Sequence, residues 1–167
     1  MSKTAPAIGL LDLMQDFMSI KEEELSQELG EKYGVPPEEV ADVVRSFLKD
    51  SYGPAMKLVE ELAAKSGPSL LFIGKKDCAV CSRCKPIIDC FLSRHKEMDM
   101  VAVDYSQPEG LLYHIMVSQE AGMLPLIAFI IEGQLRHSFT GECSALSVYE
   151  RCYGDIFSEC SQNIYAN

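Results

Sequence analysis

Ser69-Leu-Leu-Phe-Ile-Gly-Lys-Lys-Asp-Cys78-Ala-Val-Cys81 is the stretch that decides the fold of this chain. Leu70–Gly74 is a short apolar run of the kind that forms a buried strand, and Ala79–His95 reads as the helix that follows it. Cys78 stands at the head of that helix. A thiol there feels the positive end of the backbone dipole and the unpaired N–H groups of the first turn. Both favour thiolate, the form that attacks disulfides. Cys81, three residues on, shares the helical face, with Cβ atoms about 5–6 Å apart before adjustment. That is near disulfide range. The chemistry suggested is reversible dithiol–disulfide exchange.

Downstream, Met100–Asp104 reads as a strand and Glu109–Glu120 as a helix. Leu126–Ile131 and Gln134–Thr140 form a hairpin across Glu132-Gly133, and Ser144–Ser158 closes as a helix. The order is βαβαββα. Upstream, everything to about Ser66 reads as helical, over Ala7–Met18, Lys21–Lys32, Pro36–Lys49 and Gly53–Lys65. In the third of these, Pro36-Pro37-Glu38-Glu39 supplies a first turn, and Val40, Val43, Val44 and Phe47 recur at helical spacing. The sequence thus divides into a helical extension, 1–52, and an α/β domain, 53–167.

Composition narrows the function. The 167 residues carry a formal charge of −10, and Lys and Arg are not clustered. Binding to phosphate backbones needs such clusters, so nucleic acid is not an expected partner. No apolar run approaches the ~20 residues of a membrane span. The short apolar stretch near the N-terminus is followed at once by Asp12 and Asp16, unlike a secretory leader. The seven cysteines are odd in number and clustered, which argues against a secreted disulfide scaffold and for a reducing, cytoplasmic setting.

The second part of the chain resembles the thioredoxin superfamily. The likeness rests on a spaced set of features: the strand-to-cysteine distance in Leu70–Cys78, Pro86 five residues after Cys81, Val101-Ala-Val-Asp104, Met123-Leu124-Pro125-Leu126, the Glu132-Gly133 turn, and Gly141 after the last strand. With Gly53–Lys65 as the family's first helix, it spans about 53 to 160. The resemblance implies a central mixed four-stranded sheet. It makes Cys78 the nucleophile and Cys81 the resolving thiol. It also makes Pro125 a cis proline facing them, with the Leu124 backbone pairing an extended substrate segment beside Ala79 and Val80. No cofactor beyond the redox disulfide is implied, and no metal. The partners implied are a protein disulfide and an upstream reductase, and the helical extension leaves a homodimer open. The chain departs from the family pattern at Asp77, where thioredoxins have tryptophan, at Ala79-Val80 in place of Gly-Pro, and at Phe72 in place of a buried aspartate.

Other residues keep two readings. Lys75, Lys76 and Arg83 would favour a Cys78 thiolate, and Asp77 would oppose it. Cys84 falls where the family carries a buried apolar residue. Core packing is its leading reading, against an alternative resolving thiol or a ligand in a cluster shared between chains. Cys143, on a loop that borders the family's active site, is either an accessory thiol or a simple loop cysteine. Cys152 and Cys160 are expected to be buried with the last helix. Met14, Met18, Met116 and Met123 read as core filler. The leading function is a thiol–disulfide oxidoreductase. The alternatives are a non-catalytic binding or assembly module on this fold, and an iron–sulfur or zinc carrier using Cys78, Cys81 and Cys84. Cys90 does not complete the ferredoxin spacing, and it points away from Cys81 on a continuous helix.

Overall fold

The computed structural model describes residues 7–117 and 123–163, with side chains described through Ser158. Its centre is a mixed sheet of β1 (Ile8–Gly9), β2 (Pro68–Gly74), β3 (Asp99–Asp104), β4 (Leu126–Ile131) and β5 (Gln134–Thr140), in the order β1-β5-β4-β2-β3. β2 and β3 run parallel, with Leu70 opposite Met100, and every other pairing is antiparallel. The sheet has five strands where four were expected. The additional strand is β1, which sets Ile8 against Leu135 and Gly9 against Gln134. The Leu10 N–H then donates to the Gly133 carbonyl at 2.9 Å. The β4–β5 hairpin turns on Glu132 and Gly133, both at positive φ (51° and 73°), the pairing a two-residue hairpin turn needs.

The four expected N-terminal helices are two. Helix α1 runs Leu10–Tyr33 and α2 runs Pro37–Ala64. Gly34 at φ 66° ends α1, and the Val35 N–H returns to the Gly30 carbonyl at 3.0 Å. Between Leu10 and Leu29 no glycine or proline interrupts the pattern, so α1 continues through Ser19 and Ile20. In α2, Gly53-Pro54 reads as a break, yet Pro54 lies inside the helix. Proline forfeits one helical hydrogen bond there. Burial of Ala55, Val59 and Leu62 in the next two turns outweighs the loss. The two helices pack against each other, and Arg45 of α2 reaches Glu22 of α1 at 2.7 Å. Of the α2 residues at helical spacing, Val44 is buried, whereas Val43 and Phe47 are exposed.

Helix α3 (Ala79–Arg94) and helix α5 (Leu146–Asn163) lie where the pattern placed them, α5 running five residues further than expected. The segment expected as Glu109–Glu120 starts with a 3-10 turn at Pro108–Gly110 and becomes α4, Leu111–Met116. Its expected end, 118–120, lies outside the described residues.

Alternation along the strands sorts the core into two layers. Leu70 and Phe72 of β2, with Ile127 and Phe129 of β4, face α3 and α5. Leu71, Ile73, Leu126, Ala128 and Ile130 face α1, α2 and α4. Val101 and Val103 of β3 join the second layer.

Candidate active site

Cys78 caps α3. Its backbone is extended (φ −94°, ψ 109°), and its sulfur accepts a hydrogen bond from the Cys81 N–H at 3.1 Å. A sulfur in this position sits on the orphan donors of the first turn, where negative charge is stabilised. The turn before it is closed by the Cys78 N–H to the Lys75 carbonyl. Cys78 and Cys81 are joined by a disulfide, with Cα atoms 5.2 Å apart. Cys78 is half-buried and Cys81 only 2% exposed, so an incoming group meets Cys78 first.

The sheet supplies the floor. Gly74 ends β2, and a Cβ there would stand 2.6 Å from the Phe72 ring and 3.3 Å from the Cys81 sulfur, so only glycine lets the strand pass under the pair. Phe72 is buried in the cluster that holds Cys81. A phenyl ring at that position offers the Cys81 sulfur no proton acceptor.

The loop before β4 is tied to residues distant in sequence. The Leu124–Pro125 peptide bond is cis. The Pro125 carbonyl accepts the Gly141 N–H at 3.0 Å, and the Tyr113 hydroxyl donates to the Met123 carbonyl at 3.3 Å. Leu124 and Val80 pack against the cluster containing Cys81, while Ala79 and Lys76 are exposed. Met123 is a correction: it is 60% exposed beside Gly141 and fills no core. Tyr113 gave no sequence signal, because its role depends on α4 lying under a loop that follows it.

Arg83 also differs from expectation. Its Nε holds Glu142 at 2.8 Å, across from α3 to the loop after β5. The guanidinium beside Glu142 keeps that carboxyl below its ordinary range. The Arg83 charge is thus paired with Glu142 rather than free. Cys84 is fully buried, in line with core packing. Cys143 is buried too, and Cys152, on α5, belongs to the same buried cluster. Burial raises the Cys152 thiol, and the Cys160 side chain lies outside the described residues. Cys90 is exposed on the side of α3 away from Cys81. His95 is half-buried at the end of α3, 2.7 Å from Glu150, and His114 and His137 are exposed.

A helix-capping Cys-x-x-Cys disulfide on a mixed sheet, in a chain that also has a cis Leu124–Pro125 bond, defines a protein of the thioredoxin-like fold class. Thioredoxin from Trypanosoma brucei brucei superposes with a TM-score of 0.51 at 12% identity, covering 61% of this chain and 85% of that one. Desulfothioredoxin from Desulfovibrio vulgaris Hildenborough, in its reduced form, gives a TM-score of 0.49 at 20% identity over 58% of this chain and 88% of its own. Mitochondrial thioredoxin 3 from Saccharomyces cerevisiae, in its oxidised form, gives 0.49 at 14% over 63% and 98%. At such identities the likeness is one of fold. No protein family's profile matches the sequence, and no curated protein does. Among the described residues no helix is long and apolar enough to cross a membrane.

Proposed function

We propose that this chain is a thiol–disulfide oxidoreductase acting on a protein partner. The observation that carries the reading is the Cys78–Cys81 disulfide at the head of α3, with the more accessible sulfur on the helix N-cap. In the reduced form the Cys78 thiolate attacks a substrate disulfide. One substrate sulfur leaves as thiolate and takes a proton, and a mixed disulfide with Cys78 remains. Cys81 then gives up its proton and attacks the Cys78 sulfur. The second substrate thiolate is released, and the Cys78–Cys81 bond re-forms.

The substrate main chain runs beside Leu124, ahead of Pro125, with Ala79, Val80 and exposed Met123 as its side-chain contacts. Phe72 slows resolution, because the Cys81 proton has no buried carboxylate to leave to. Such an enzyme favours a dedicated partner over any available disulfide. Lys76 adds positive charge near Cys78. Electrons come from an upstream reductase, no cofactor beyond the two thiols is required, and the setting is the reducing cytoplasm. Residues 1–52 serve recognition of a partner or of a second copy, and 53–167 carry the chemistry. This division is one of role, since α2 itself passes through Tyr52 and Gly53 unbroken.

The test is reduction of a disulfide-containing protein such as insulin, with dithiothreitol as donor. Turnover is expected from the wild type and not from Cys78→Ser, while Cys81→Ser is expected to accumulate the mixed disulfide. Equal rates for Cys78→Ser and wild type would refute the assignment.

A further inference from the structure

Arg83 and Glu142 meet at the surface, 54% and 48% exposed, and the next residue along each segment turns inward. Those residues are Cys84, 0% exposed, and Cys143, 8% exposed, and both belong to the buried cluster that holds Cys81. The ion pair therefore clamps two thiols, far apart in sequence, beneath itself. Cys84 also lies one helical turn from Cys81 on the same buried face of α3.

The surroundings of Cys143 go beyond those of a packed loop cysteine. Burial pushes its thiol up. The Tyr149 hydroxyl and the Ala145 N–H work the other way, and Cys84 pushes it up again. Tyr149 is fully buried and also donates to the Cys143 carbonyl at 3.1 Å. That bond fixes the Cys143 main chain within the cluster that also holds Cys81 and Cys84.

We propose that Cys84 and Cys143 are a second, buried dithiol that exchanges with the Cys78–Cys81 disulfide, so that one chain holds two electron pairs. The proposal rests on the oxidoreductase reading above. Cys84 loses its proton and attacks the Cys81 sulfur. A Cys81–Cys84 bond forms across the first turns of α3, the Cys78–Cys81 bond breaks, and Cys78 leaves and takes a proton. Cys143 then loses its proton and attacks the Cys84 sulfur. The Cys84–Cys143 bond forms, and Cys81 leaves as a thiol. The oxidant is the Cys78–Cys81 disulfide itself, and the step is an isomerisation that moves one disulfide inward. Cys78 and Cys81 are then free to reduce another substrate disulfide.

The test is an anaerobic titration of the reduced protein through a glutathione redox series, with acid quenching, alkylation and mapping of linked peptides by mass. The wild type is expected to give up twice as many electrons as Cys84→Ala or Cys143→Ala, and to yield a Cys84–Cys143 linked peptide. In Cys78→Ser that linkage is expected to be lost, because the inner pair has no other oxidant within reach. Alkylation of Cys84 and Cys143 at every ratio where Cys78–Cys81 cycles would overturn the proposal and leave the oxidoreductase reading standing. So would a Cys84–Cys143 bond that forms equally in Cys78→Ser. Failure of Cys78–Cys81 to cycle at all would overturn both. Thermal melts check the alanine variants, and if either fails to fold, the wild-type peptide map decides.

Discussion

The two layers flanking the sheet are built from different materials. The layer under α3 and α5 is aromatic and sulfur-rich: Phe91 meets Phe129, Tyr149 and Tyr153, and Cys81, Cys84, Cys143 and Cys152 lie among them. The layer under α1, α2 and α4 is mostly aliphatic, with Leu10, Met14, Val59, Leu62 and Ile130, and holds no buried cysteine among the described residues. Both faces bury apolar surface, so hydrophobic burial alone does not separate them. What separates them is polarizable aromatic and sulfur content gathered on the side of the Cys78–Cys81 pair. The aliphatic side serves as foundation.

The sharpest way to break the contrast is Phe91→Ala, expected to cost about 3–5 kcal/mol. Because Phe91 packs in the Cys81 layer, the rate of Cys78 alkylation in the reduced, still-folded fraction should change with it. Leu62→Ala in the opposite layer is expected to cost about 2–5 kcal/mol. Denaturant melts should register that loss while Cys78 alkylation keeps the wild-type rate; a shifted rate would mean that the layers are not separate in function. Tyr149→Phe is smaller. It leaves the buried Cys143 carbonyl without its donor, for about 1–3 kcal/mol, and should slow any reaction at Cys143 while sparing Cys78.

Glu142→Gln is expected to have the smallest effect on stability, since the Arg83 pair is exposed. The carboxyl is held below its ordinary value of 4.5. Its stabilising contribution is therefore present above that value and fades as pH falls through the lower, folded-state value. Melting curves of wild type and variant should differ at neutral pH and converge in acid. Curves that stay parallel down to strong acid would remove the ion pair from the account.

What the sequence revealed about these layers was local. Cys78-Ala-Val-Cys81, the Glu132-Gly133 turn and the strands on either side of it depend on neighbours a few residues away, and they lie where the pattern puts them. Gly53-Pro54 misled because a local breaking signal was overridden by burial of Ala55, Val59 and Leu62, contacts made with the sheet rather than within the helix. β1 has only two residues, too few for alternation, and exists through Leu135 and Gln134 far along the chain. Near the site, the strand-to-cysteine spacing was legible. The Tyr113 hydrogen bond to Met123 and the Arg83–Glu142 clamp were not, since each joins segments that meet only after folding. The nearness of Cys143 to Cys84 follows from that clamp, which is why sequence left the role of each open.

The outer strand β3 has a consequence for how copies of this chain meet. It opens with Asp99 and closes with Asp104, and its free edge faces away from β2. A second copy adding antiparallel in the centred register would set Asp99 of one against Asp104 of the other at both ends, and like charges directly opposite repel. Lys65 answers only part of this, from 3.5 Å and on Asp99 alone. The strand thus carries its own guard against pairing with the same edge of a second copy.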